Sequence, residues 1–211
     1  MRMRKKSWAQ PFLEQHPDYV IANPSEYKGK WKTLLPQAVL HLEIGCGKGD
    51  YFIQMAQKYP DHAFIAVEKD RNVAAVAAKK ALEEVLPNTR MIASDAAAIC
   101  DWFAPKEIQI LHLNFSDPWP KTGHSKRRLS HAAFLKQYET ILADDGEIQL
   151  KTDNQSLFEF SLREFSQNDW VLLEVSVDFR RTEQEDAMTE YERKFVGLNQ
   201  PIYRLVVKKR R

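Results

Sequence analysis

The residues best placed to do chemistry in this chain lie in one stretch, 111–128. There the apolar run Leu111-His-Leu-Asn-Phe-Ser stops at Asp117 and gives way to Pro118-Trp-Pro120, then to Lys121, Lys126, Arg127 and Arg128. Pro118 and Pro120 fix φ at two places and remove two N–H donors, so the loop carrying Asp117 and Trp119 is expected to be stiff and its side chains aimed in advance. A carboxylate beside an indole face, with cations close behind, is the pairing expected where a base sits in a pocket and phosphates sit outside it. The competing reading is an ordinary strand-to-helix connection with a solvated basic end. Trp119 itself has two readings, a stack on a base or adenine and a plug of the loop against the core.

Four further acids share the setting of Asp117. Glu43, Glu68, Asp95 and Asp153 also fall at the carboxyl ends of apolar, strand-like runs. Any one such acid is ordinarily a helix cap, but five at the same edge of one sheet call for a cationic ligand. The glycine loop after the first run narrows the class. A dinucleotide site wants Gly-x-Gly-x-x-Gly with a diphosphate on the helix N-terminus. Here Gly45, Gly47 and Gly49 are spaced Gly-x-Gly-x-Gly, with Glu43 before and Asp50 after, a poor setting for a diphosphate. An adenosyl ligand with a sulfonium and an ammonium suits it, with Glu68, about 20 residues on, accepting from ribose hydroxyls. This points to S-adenosyl-L-methionine, although the loop and Glu68 do not by themselves exclude a nicotinamide enzyme.

These residues must be positioned by a regular scaffold. Strands are expected over 39–44, 63–68, 90–95, 108–115 and 147–152, alternating with helices whose apolar stripes include Phe52, Met55, Ala56 and Tyr59, then Ala74, Ala77, Ala78, Ala81, Leu82 and Val85. Ser130 is the expected N-cap of a helix through Phe134, Leu135, Tyr138, Ile141 and Leu142, and Asp144-Asp-Gly146 the expected turn after it. A helix with Phe158, Leu162 and Phe165 on one face follows. Runs at 170–177 and 202–207 complete the pattern as an antiparallel edge hairpin, joined by a long acidic segment expected to be functional or mobile. The fold class is therefore α/β, a doubly wound seven-stranded sheet of the Rossmann-like type, with ligands beyond the strands' carboxyl ends. Residues 1–38, with four prolines, are expected to form a basic arm with one short helix at 25–35. Residues 39–211 are expected to form a methyltransferase domain of this cofactor class, and the whole is expected to be a single domain.

Composition bounds the rest. With 44% hydrophobic residues in 211, one good core can be buried. No apolar run approaches the ~18 residues of a membrane span and no signal peptide is visible, so the cytoplasm is expected. Cys46 and Cys100 lack metal or disulfide spacing, and no metal is expected. Net charge is only +2, yet 15 of the 31 basic residues fall in three short segments at the start, at 121–128 and at the end, which resembles a nucleic-acid footprint.

The chain closely resembles the bacterial tRNA (guanine-N7)-methyltransferase family over nearly its whole length. The most specific pieces are Glu43-Ile-Gly45-Cys-Gly47-Lys-Gly49, Leu113-Asn-Phe-Ser-Asp-Pro-Trp-Pro-Lys121, Lys151-Thr-Asp-Asn154, and Met188-Thr-Glu-Tyr-Glu192 followed by Lys194-Phe195. The resemblance implies S-adenosylmethionine binding by Glu43, Glu68, Asp95 and Asp117 around the glycine loop, with Asp117 also the active-site acid. It implies guanosine binding by Lys121, Asp153, Thr189, Glu190, Tyr191 and Glu192. It implies contact with tRNA by Gly123, His124, Ser125, Lys126, Arg127 and Arg128, and a target in the variable loop. Thr122 and Gly123 stand where the family commonly carries further cations. A monomer or a homodimer is expected.

Guanine N7 has a lone pair and no proton, so its methylation needs no general base and depends on alignment and on stabilising the cation that forms. Asp117 is the first candidate for that, with Asp153 and Glu192 as partners. His41 and His112, on strands, are expected in the core, and His124 on backbone or phosphate. Two alternatives stand: an amino-group methyltransferase acting on a nucleobase, because Ser-Asp-Pro-Trp loosely resembles the loop of such enzymes, and a non-catalytic RNA-binding protein.

Overall fold

A computed structural model describes residues 6–210. Residues 1–5 and 211, which hold part of the basic start and end, lie outside the described residues. The seven strands are β1 (Val39–Ile44), β2 (His62–Val67), β3 (Thr89–Ile92), β4 (Ile108–Asn114), β5 (Leu142–Thr152), β6 (Trp170–Ser176) and β7 (Tyr203–Lys209). Their order in the sheet is β3-β2-β1-β4-β5-β7-β6. The chain clusters into two compact units, Met1–Ala104 and Pro105–Arg211.

In the first unit β1, β2 and β3 pair in parallel, Val39 opposite His62 and Phe64 opposite Thr89. Strands buried on both faces read as continuous apolar runs, as β2 does from Ala63 to Val67. The chain's first helix is α1 (Ala9–Gln15), and the crossover helices are α2 (Asp50–Lys58) and α3 (Arg71–Glu83), followed by the short α4 (Ile99–Trp102). In α3 the side chains of Ala74, Ala75, Ala77, Ala78 and Ala81 are all fully buried. Small residues let the helix approach closely.

The proline-containing start is packed into this unit. Helix α1 lies against α3, burying Ala9 and Leu13. Pro11 is tolerated because it sits in the first turn, where its missing N–H has no helical partner anyway. Beyond α1, Val20 bridges to Met91 of β3. Trp31 is fully buried, stacks on Phe103 at 5.3 Å between ring centroids, and donates Nε1–H to Trp102 O at 2.9 Å. The single helix expected over 25–35 is instead two 3-10 turns, Pro24–Tyr27 and Trp31–Thr33. Gly29 between them has φ +73°, which no α-helix admits.

In the second unit β4 and β5 are parallel, while β5–β7 and β7–β6 are antiparallel, giving the expected edge hairpin. Helices α5 (Ala132–Ile141) and α6 (Gln155–Gln167) serve β4 and β5, and α7 (Glu190–Gly197) interrupts the connection between β6 and β7. Two local expectations are corrected. Asp144-Asp-Gly146 is no turn: β5 runs through it as a bulge, so that Ile108 and Ile110 of β4 face Leu142 and Glu147. Any side chain at Gly146 would meet the Ala143 backbone and Gln109 O at 3.0–3.1 Å. The N-cap of α5 is His131, whose Nδ1 accepts from Ala133 N at 3.1 Å. Ser130 is buried and spends its hydroxyl on Ser161 Oγ at 2.7 Å.

Candidate active site

The first unit carries the glycine loop and three of the strand-end acids. Glu43, the penultimate residue of β1, is 3% exposed. Gly45, Gly47 and Gly49 all have positive φ. They do different work. At Gly49 a Cβ would stand 2.7 Å from Phe52 and 3.0 Å from Ala77 Cβ, so the residue permits close packing of α2 on α3. At Gly45 and Gly47 a Cβ would meet nothing within 4 Å, which leaves an open backbone cradle.

Glu68 follows β2 directly and is half-buried. Its Oε2 accepts from Gly47 N at 3.0 Å and its Oε1 from Asp70 N at 2.8 Å, so the acid shapes the glycine loop. Burial holds its carboxyl above the usual range, the two N–H donors offsetting part of the effect. Asp95 is exposed and hydrogen-bonds Lys69, which holds its carboxyl below the usual range; it also caps the next turn by accepting from Ala97 N at 3.1 Å. Asp50, at the start of α2, is bound by Lys80 at 2.7 Å. Burial pushes the Cys46 thiol well up, with Glu43 and Glu68 adding to it, so Cys46 is inert.

The second unit carries the remaining candidates. β4 ends at Asn114, and Asp117 is exposed on the loop that follows. Two non-glycine residues around it, Phe115 (φ +50°) and Trp119 (φ +41°), occupy the left-handed region. Such residues persist only where surrounding structure fixes them. Trp119 is half-buried. Arg127 lies 4.9 Å over its ring and His124 meets it edge-on at 5.8 Å. Lys121, Thr122, Gly123, Lys126 and Arg127 are exposed; His124 and Ser125 are half-buried on the 3-10 turn Thr122–Arg127. Arg128 is half-buried. Asp153, just past β5, is half-buried, and burial raises its carboxyl above the usual range.

The Thr189, Glu190, Tyr191 and Glu192 group divides. Thr189 caps α7, its Oγ1 accepting from Glu192 N at 2.9 Å, and Glu190 and Tyr191 are exposed. Glu192 is fully buried: Oε2 accepts from Lys151 Nζ at 2.8 Å and Oε1 from Arg180 Nε at 2.7 Å. Lys151, 1% exposed, also donates to Asp186 Oδ2 at 2.6 Å and Ala187 O at 2.9 Å. Arg180 and Arg204 both lie over the Phe179 ring, at 4.8 and 4.6 Å, and Arg204 reaches Asp186 at 3.5 Å. This network ties the segment between β6 and β7 to β5. Sequence reasoning misses Arg180, Asp186 and Arg204, and it quotes Lys151 in a motif without assigning it a role. A lysine between Leu150 and Thr152 in a buried strand is the available signal, since such a cation requires buried anions. His112, also buried, is pushed down to about 3 by burial and by the charges of Lys151 and Arg204. It is a neutral core histidine, as His41 is buried too.

A family model described as "Putative methyltransferase" matches residues 37–205. The chain is 44% identical over 209 residues to the tRNA (guanine-N(7)-)-methyltransferase of Limosilactobacillus reuteri, covering 98% of each chain. The chain belongs to this family. The Geobacillus sp. (strain WCH70) member is 46% identical over 210 residues, covering 99% of this chain and 96% of its own. Among solved structures, an antibiotic-related methyltransferase superposes with a TM-score of 0.68 at 12% identity, over 90% of this chain and 96% of its own. That likeness shows the methyltransferase fold alone. Among the described residues no helix is long and apolar enough to cross a membrane.

Proposed function

We propose that this protein is a tRNA (guanine-N7)-methyltransferase that moves a methyl group from S-adenosylmethionine to N7 of a guanosine in tRNA. The observation that carries this reading is the 44–46% identity, end to end, to enzymes bearing that name. A tRNA substrate supports a cytoplasmic location, and the family resemblance supports a target in the variable loop.

The residues of the first unit fit the cofactor. Gly45 and Gly47 leave open backbone where a ligand can lie close. Each oxygen of Glu68 takes one backbone N–H and retains acceptor capacity for a ribose hydroxyl. Asp50 at the head of α2 disfavours a diphosphate there. Glu43, Gly45, Gly47, Gly49, Glu68 and Asp95 would hold S-adenosylmethionine. When bound, it supplies an electrophilic methyl carbon on a positively charged sulfur.

The chain's own residues then align and stabilise. Asp117, on a loop braced by two prolines, presents a carboxylate that favours positive charge developing on the purine. Asp153 accepts from the guanine N1 and N2 donors and selects the base. Lys121 joins Asp153 at the guanosine, and Gly123, His124, Ser125, Lys126 and Arg127 face the rest of the RNA. Thr189, Glu190 and Tyr191 meet the nucleoside at the head of α7, while Glu192, enclosed by Lys151 and Arg180, holds that helix in place.

The acceptor atom is tested with tRNA whose target guanosine is replaced by 7-deazaguanosine. Its N1, N2 and O6 edge and its phosphates are kept, so it binds, but a C–H stands where the nucleophilic lone pair was. Binding without methyl transfer is expected. Transfer at a rate near that of ordinary tRNA would overturn the N7 assignment in favour of an exocyclic amine.

A further inference from the structure

Arg128 belongs by sequence to the run of cations expected to grip phosphate, yet its head turns into its own loop. Nε donates to Pro118 O at 2.9 Å and Nη2 to Trp119 O at 3.1 Å. The guanidinium lies 4.3 Å over the ring of Phe160, a buried residue of α6. The connection to α6 is reinforced on the residues that follow: Ser130 Oγ meets Ser161 Oγ at 2.7 Å, and Ala132 N donates to Glu164 Oε2 at 2.6 Å. Arg127, one position earlier, is exposed and reaches outward over Trp119.

The chemistry of the loop explains the need. Two of the four residues in Asp117-Pro118-Trp119-Pro120 have no N–H, so the segment cannot close a hydrogen-bonded turn of its own. Its backbone is also unusual, with Phe115 and Trp119 at positive φ on either side of Asp117. A planar guanidinium offers two donors in a fixed fork that can span the carbonyls of consecutive residues, and it stacks on an aromatic face at the same time. An ammonium offers the same charge without the fork or the stack.

We propose that Arg128 is a positioning residue: it holds the carbonyls of Pro118 and Trp119 against α6 and so aims Asp117, leaving phosphate binding to its neighbours Lys126 and Arg127. This rests on the reading that Asp117 acts in methyl transfer. It predicts a division that a phosphate ligand would not give. In Arg128→Lys, kcat falls on the order of a hundredfold, as a misplaced catalytic group does, while KM for tRNA stays within about twofold. The salt dependence of tRNA binding keeps its slope, and the urea midpoint stays near that of the parent enzyme. Lys126→Ala/Arg127→Ala instead lowers that slope by roughly 1.4–1.8, since each phosphate no longer neutralised removes about 0.7–0.9. Arg128→Ala matches Arg128→Lys in kcat; should the alanine variant not fold, the lysine variant alone carries the test. Normal kcat in Arg128→Lys, or a slope in Arg128→Ala reduced by the increment of one phosphate, overturns the proposal. Asp117→Ala separates the two readings. If it is as active as the parent, the role of Asp117 itself fails; if it is impaired while Arg128→Lys is normal, only the role of Arg128 fails.

Discussion

Two sets of carboxylates, one in each compact unit, meet opposite kinds of partner. In the first, Glu68 is met by two backbone N–H groups and Asp95 by an exposed lysine and one N–H. Both keep acceptor capacity, and the Lys69 pair is of the exposed kind that contributes little. In the second, Asp186 and Glu192 are enclosed by Lys151, Arg180 and Arg204, with Lys151 and Glu192 at 1% and 0% side-chain exposure. The difference is one of lone pairs. An acid answered by backbone donors at the mouth of a strand remains available to a ligand, whereas an acid wrapped in buried guanidinium and ammonium groups has been committed to the fold. Asp153, half-buried just past β5, belongs with the first kind.

Breaking the buried network should have the largest effect. Lys151→Met removes one of the two cations that Asp186 and Glu192 share, Arg180 being the other, and is expected to lower unfolding free energy by about 3–5 kcal/mol, measured by urea denaturation. The double variant Lys151→Met/Glu192→Gln should lose less than the sum of the two single losses, because the two residues share one buried contact. A single variant as stable as the parent would erase the contrast between the units. Next comes Glu68→Gln, in the unit proposed to hold the cofactor. S-adenosylmethionine affinity by calorimetry should fall about tenfold or more, the scale of a hydrogen bond to a charged group, with tRNA affinity nearly unaltered. Unchanged cofactor affinity would remove Glu68 from the site.

The smallest effect sharpens the comparison through pH. Burial raises the Asp153 carboxyl in the folded protein above its unfolded value. The protonated form is therefore favoured by folding, and this stabilisation, complete below the unfolded pKa, is lost as pH rises through the folded one. Asp153→Asn should then be slightly more stable than the parent at neutral pH, with the advantage vanishing on acidification. Guanosine-containing substrate should bind the parent less well as pH falls through the raised value, and bind the variant weakly at every pH. A variant that is destabilised at neutral pH would move Asp153 into the class of Glu192.

Much of the fold and the site is legible in the sequence because it is local. β1, its glycine loop and α2 are written in one contiguous stretch, and the run into Asp117 announces β4 and its loop. Sequence reasoning fails where a residue's usual meaning is overridden. Pro11 conceals α1 although a first-turn proline does no harm there, and Ser130 looks like a cap but spends its hydroxyl on Ser161. Asp144-Asp-Gly146 has turn composition, yet the β4 partner continues past it and a bulge absorbs the extra residues.

The sequence by itself determined the alternation of strands and helices, the family, the cradle built on Gly45 and Gly47, and Asp117 in the loop after β4. These depend on chemistry carried by neighbours in the chain. Only the tertiary structure decided which charges work on ligands and which on the fold. Lys151 meets Asp186 and Glu192 across separations of 35 and 41 residues, and no spacing rule reaches so far. Arg128 and Arg127 are the same residue type at adjacent positions, yet one faces into the loop and the other outward. Their difference arises from where the backbone of the Pro-Trp-Pro segment leaves carbonyls to be satisfied and where Phe160 of α6 offers a face.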